Sequence, residues 1–97
     1  MLETFSIIMP AYNHASMIGE AINSVLSELG PDDELIVIND GSVDATAATV
    51  RQFTDARIRL LSHDQNQGLS ATRNTSLRNA TRDYIGFCDS EISLELA

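Results

Sequence analysis

Residues 34–41 read ELIVINDG. Leu35–Ile38 is apolar at every position, so neither face of a strand formed there could meet water, and a strand covered on both sides belongs to a parallel sheet with helices above and below. The stretch then ends on Asn39, Asp40 and Gly41. A turn accounts for such an ending, because Asn, Asp and Gly favour turns. A carboxylate held at a strand end to meet a ligand accounts for it equally. The neighbouring segments have to decide.

Working outward, strand and helix patterns alternate. FSIIM (5–9) closes on Pro10 and reads as a buried strand. In residues 16–29, Met17, Ile18, Ala21, Ile22, Val25, Leu26 and Leu29 form one helical stripe, with Ser16 as candidate cap. GPDDE breaks that helix. Residues 41–53 suggest a second helix capped by Ser42 or Asp44, its stripe made by Ala45, Ala48 and Phe53 with Val50 to one side. IRLLS (58–62) is a third strand and HDQNQG a polar loop. Residues 69–80 form a polar helix that relies on Leu69, Leu77 and Ala80 for core contact. DYIGFC (83–88) is a fourth strand. Four strands separated by three helices predict an α/β fold: a three-layer, Rossmann-like domain with mainly parallel strands.

Composition narrows the function. The 97 residues suit one domain, and the 43% hydrophobic fraction is that of a globular chain. The net charge is -8, all six basic residues being arginine, which disfavours nucleic acid and anionic membrane as partners. No apolar run reaches the roughly 20 residues of a membrane helix. No signal peptide is visible and Cys88 is the single cysteine, so a reducing, cytoplasmic setting is expected. The lone histidines His14 and His63 read as solvent-exposed loop residues.

In open α/β sheets ligands sit beyond the carboxyl ends of the strands. Those ends are PAYN (10–13), NDGS (39–42), HDQN (63–66) and DSE (89–91), and three of the four carry acids. In this order, PAYN, NDGSVDAT (39–46), NQGLSATRN (66–74) and CDSE (88–91) resemble the nucleotide-sugar half of the inverting GT-A glycosyltransferases of family 2. Those show P-x-Y-N, D-D-G-S-x-D-x-T, N-x-G-x-x-x-x-R-N and D-x-D at corresponding places, and the likeness covers roughly residues 4–91.

The resemblance implies binding of a nucleoside diphosphate sugar, a UDP-sugar by default, for transfer to an acceptor hydroxyl in polysaccharide or glycoconjugate synthesis. Pro10, Tyr12, Asn13, Asp40, Gly41, Gly68, Arg73 and Asp89 are the implied nucleotide-sugar residues. Tyr12 offers a flat face to a base, or else packs on the first helix. Asp40 accepts from a base N–H, with Gly41 giving backbone clearance, or else caps a turn. Arg73 matches phosphate geometry, or else is a solvated helix residue. Asp89 and Glu91 supply hard oxygens for Mn²⁺ or Mg²⁺, or else a polar strand end. Glu91 replaces the family's usual Asp, and Ile92 follows it.

No catalytic base is assigned. The family's base lies beyond the metal motif, so residues 1–97 read as a single nucleotide-sugar-binding domain with the acceptor half absent, inactive by itself. Self-association through an exposed strand edge is expected. The alternative is a non-catalytic nucleotide-binding or interaction domain retaining the fold. A receiver-like domain is disfavoured by the lack of lysine, and a dinucleotide-binding domain by the lack of G-x-G-x-x-G after the first strand.

Overall fold

In the computed structural model, residues 3–88 are described. Asp89 and Glu91, the expected metal ligands, lie outside the described residues. The element order is β1 (Phe5–Ala11), α1 (Ala15–Glu28), β2 (Glu34–Asp40), α2 (Thr46–Arg51), β3 (Ile58–His63), α3 (Leu69–Asn79) and β4 (Tyr84–Phe87). All pairings are parallel and the strand order is β3-β2-β1-β4. The chain steps outward from β1 to β3, then α3 carries it back across the sheet to β4. The helices therefore divide between the two faces, α1 after β1 on one and α3 before β4 on the other, and a crevice opens at the carboxyl ends between those strands.

The strand period of two sorts the core into two layers. Ile7, Met9, Leu35 and Val37 face α1 and α2, meeting Ile18, Ala21, Ile22, Val25 and Val50. Ile8, Ile36 and Ile38 face α3, with Leu61 and Ala80 against them. β2 is buried throughout. The α1 stripe is as expected except for Met17, which is exposed. Ile18, Ile22 and Val25 are fully enclosed, each contributing about 1.5–3 kcal/mol by burial.

Three local expectations need correcting. Ser16 does not cap α1: the helix begins one residue earlier, with His14 at the cap position and no side-chain cap bond. Asp44 serves instead, accepting from the Ala15 N–H at 3.2 Å and from the Thr46 N–H at 2.9 Å, so one carboxylate joins the starts of α1 and α2. The Thr46 hydroxyl also donates to it. These bonds, that of the Thr46 hydroxyl first, hold Asp44 below the usual carboxylate range. In α2 the buried residues are Thr46 and Val50, not Ala45 and Ala48. In α3 they are Thr72 and Ser76, while Leu69 and Leu77 are exposed. Thr72, Ser76 and Ala80 recur every four residues, and their small size lets the helix axis approach the sheet closely.

Candidate functional site

A cleft of about 440 Å³ lies on the α3 side of the sheet at the carboxyl ends of β1, β2 and β4. That is within the range of small-ligand sites. Five of the residues expected at the site line it: Pro10, Tyr12, Asp40, Gly68 and Arg73.

Asp40 is the best enclosed of these, 5% exposed. Its Oδ1 accepts from the Gln67 N–H at 2.9 Å and lies 2.7 Å from His63 Nδ1. Its Oδ2 accepts from the Gly68 N–H at 3.0 Å. Burial pushes the carboxyl upward. The bonds from His63, Gln67 and Gly68 and the charge of His63 outweigh burial and hold it below the usual range. An ionised carboxylate offers about four acceptor positions. Three are filled from among the described residues, two on Oδ1 and one on Oδ2.

The two glycines nearest Asp40 serve different ends. Gly41 has φ +72°, and a Cβ there would collide with the backbone of Gln65 and Asn66. The clearance expected for a ligand at Gly41 is thus occupied by the protein's own β3–α3 loop, and Gly41 is not in the cleft wall. Gly68, at φ +92°, precedes α3 with open space around its Cα. The first turn of α3 leaves N–H groups without intrahelical partners, and the positive end of its dipole meets the cleft at Gly68 and Leu69.

Arg73, one turn on, places its guanidinium carbon 5.4 Å from the centre of the Phe87 ring, and both line the cleft. Tyr12 is 43% exposed and lines the cleft. Asn13 is turned away from the cleft wall. At φ 53° it occupies a left-handed conformation that Asn tolerates, donates its N–H to Ser42 Oγ at 3.0 Å and accepts from the Val43 N–H at 2.9 Å. Asn13 thereby staples the β1–α1 turn to the β2–α2 loop.

The sequence reading missed several participants. His63 is not a solvated loop residue. It is the last residue of β3, paired in register with Asp40, its side chain only 10% exposed, with Nε2 2.8 Å from Thr75 Oγ1. Extending β3 by one residue would have found it. His14, Thr72, Phe87 and Cys88 also line the cleft. The Cys88 N–H donates to the Ile8 carbonyl at 2.8 Å, which carries the pairing of β1 and β4 to the last described residue. Among the described residues no group of three or more His, Cys, Asp or Glu could hold a metal ion. No helix among them is long and apolar enough to cross a membrane.

A helix start, an enclosed carboxylate and an accessible aromatic meet around one crevice of a parallel-sheet α/β domain of the GT-A kind. Residues 6–93 match Glycosyl transferase family 2, and the chain belongs to that family. It is 42% identical over 86 residues to the UDP-Glc:alpha-D-GlcNAc-diphosphoundecaprenol beta-1,3-glucosyltransferase WfgD of Escherichia coli, covering 89% of this chain and 34% of that protein. It is 41% identical over 93 residues to the uncharacterized glycosyltransferase EpsJ of Bacillus subtilis (strain 168), covering 94% of this chain and 27% of that one. The chain thus spans about a third or less of the length of these relatives. Among solved structures, S. aureus TarS 1-349 in complex with UDP-GlcNAc superposes with a TM-score of 0.84 at 28% identity, over 91% of this chain and 26% of that one. The mannosyltransferase PcManGT from Pyrobaculum calidifontis, in complex with GDP-Man and Mn²⁺, gives 0.83 at 27%, over 90% of this chain and 27% of that one.

Proposed function

We propose that residues 3–88 form the donor-binding part of a glycosyltransferase, taking a nucleoside diphosphate sugar into the cleft for transfer to an acceptor hydroxyl. The observation that carries this is the meeting of Tyr12, Asp40, Gly68 and Arg73 on one crevice at the strand ends. Tyr12 stacks on the base, and Asp40 Oδ2 accepts a base N–H. The α3 N-terminus and Arg73, released from Phe87, meet the diphosphate. A carboxylate suits the imide of uracil. The UDP-Glc in the name of the WfgD relative and the UDP-GlcNAc complex of TarS support a UDP-sugar.

Asp89 and Glu91 follow directly on the cleft wall in sequence, and their hard oxygens suit Mn²⁺ or Mg²⁺. Such an ion supplies Lewis-acid neutralisation of the departing diphosphate when bound. The GDP-Man and Mn²⁺ complex of PcManGT supports this assignment. No residue among those described is assigned as the base that deprotonates the acceptor, and donor binding is the activity proposed for these residues by themselves.

Calorimetric titration with UDP, GDP and dTDP, each with and without Mn²⁺, tests the reading. Metal-dependent binding of UDP that Asp40→Ala and Glu91→Ala weaken is the expected result. Absence of heat with all three nucleotides refutes it and favours a domain that retains the fold for interaction alone.

A further inference from the structure

We propose that His63 is a positioning residue of this cleft: it fixes the Asp40 carboxylate for base recognition from behind, and Thr75 fixes the His63 ring in turn. The inference rests on the nucleotide-binding reading above. His63 is not in the cleft wall, so it acts on a ligand only through Asp40.

The geometry assigns the protons. An ionised carboxylate only accepts, so the ring nitrogen 2.7 Å from Asp40 Oδ1, Nδ1, carries hydrogen. In the neutral ring Nε2 is then an acceptor and takes the Thr75 hydroxyl hydrogen across 2.8 Å. Should the ring gain a second proton, the hydroxyl rotates and accepts instead, so the contact survives either state. The His63 and Asp40 side chains are 10% and 8% exposed, which removes water as a substitute partner.

The three donors to Asp40 come from two directions. Gln67 and Gly68 hold it from the β3–α3 loop, and His63 holds it from the neighbouring strand. Without His63 the carboxylate is held from the loop alone. It can turn about its Cβ–Cγ bond, and its hold on a proton strengthens. A rotated or protonated Asp40 no longer presents Oδ2 to a base N–H.

The test uses the purified chain, UDP as probe and four variants. His63→Leu fills the space without a donor. His63→Asn keeps an N–H near the Nδ1 position. Thr75→Val removes the hydroxyl at nearly constant shape, and Asp40→Ala is the reference for loss of the site. His63→Leu is expected to weaken UDP binding about tenfold or more, the effect of losing a hydrogen bond to a charged group, with His63→Asn recovering most of it. In ring ¹⁵N spectra the wild-type His63 is expected in the Nδ1–H form, and Thr75→Val to keep that form, which Asp40 fixes, while the Nε2 signal shifts with the loss of its hydrogen bond. A folded His63→Leu that binds UDP within about twofold of wild type overturns the proposal while leaving the site reading intact. If His63→Leu does not fold, the ring spectra and His63→Asn decide: a wild-type proton on Nε2, or His63→Asn binding no UDP, overturns it. A wild type that binds no nucleotide removes both readings together.

Discussion

Glu34 sits at the opposite end of β2 from the cleft and provides the most quantitative test of the fold. Its side chain is 4% exposed. Oε2 accepts from Ser6 Oγ at 2.5 Å, the Thr81 N–H at 2.9 Å and the Thr81 hydroxyl at 2.9 Å. Oε1 accepts from Arg59 Nη1 at 3.0 Å. Burial alone would raise the carboxyl; the bonds from Ser6, Thr81 and Arg59 prevail and lower it from 4.5 to about 2. A depression of that size corresponds to roughly 3 kcal/mol of stability at neutral pH. The sign follows from the direction. The folded-state value lies below the unfolded one, so the contribution is complete above pH 4.5 and fades as pH falls toward 2. Glu34→Gln keeps the shape. Its single oxygen can serve Ser6 and Thr81, but its amide then faces the Arg59 guanidinium, donor against donor. Urea unfolding followed by circular dichroism should show the variant about 2–4 kcal/mol less stable at pH 7. The gap should narrow steadily below pH 4.5. A gap of the same size at pH 7 and pH 2.5, or one under about 1 kcal/mol at pH 7, refutes the reasoning.

Other outcomes follow from the site. Gly41→Ala should cost more than about 2 kcal/mol in urea unfolding, because a left-handed φ and a backbone collision add together; unchanged stability would show that the loop at 65–66 yields freely. Asp40→Asn should lose UDP binding and also about 2 kcal/mol of stability, since an amide cannot accept from His63, Gln67 and Gly68 at once. Arg73→Gln should leave unfolding within about 1 kcal/mol of wild type, because an exposed cation–π contact is worth that or less, yet weaken UDP in calorimetry; equal affinity would remove Arg73 from the diphosphate. β4 leaves Tyr84, Ile85 and Phe87 exposed at the sheet edge, and we propose that a second copy pairs there. Sedimentation velocity should show a mass that rises with concentration and is suppressed by Ile85→Lys; a monomer at all concentrations rejects the pairing.

The sheet and the α1 stripe were legible because both are local periodicities. Leu35–Ile38 declares a two-sided strand without reference to any distant residue. The partners that decide the site's chemistry are far apart in sequence, and no local pattern joins them. Asp40 meets His63 through strand register, and Glu34 meets Thr81 only because α3 recrosses the sheet. Of the apolar residues expected to dock α3, Ala80 does so, but Thr72 and Ser76 take the places of Leu69 and Leu77. Apolar spacing misleads when a helix lies close enough to a sheet to need small residues. Leu69 has a place at the cleft rim; the structure gives no comparable account of Leu77.

α3 buries only Thr72 and Ser76, so polar ties at its two ends help to hold it on the sheet. On the face of β2 toward α3 the sequence runs Glu34, Ile36, Ile38, Asp40: apolar in the middle, a carboxylate at each end. A seven-residue strand is about 20 Å long and an eleven-residue helix about 16 Å, so the two carboxylates reach the two ends of α3. Asp40 holds the backbone entering the helix at Gln67 and Gly68, and Glu34 holds the backbone leaving it at Thr81. With so little apolar surface of its own, α3 depends on these ties for its position. The carboxylate proposed to read the base is therefore also a structural clamp, and lost binding in an Asp40 variant confounds a missing contact with a displaced helix. Tyr12 and Arg73 do not share that burden, because both are exposed and neither ties one element to another through a buried bond. Loss of UDP binding in Tyr12→Ser or Arg73→Gln at wild-type stability is what would place the nucleotide in this cleft.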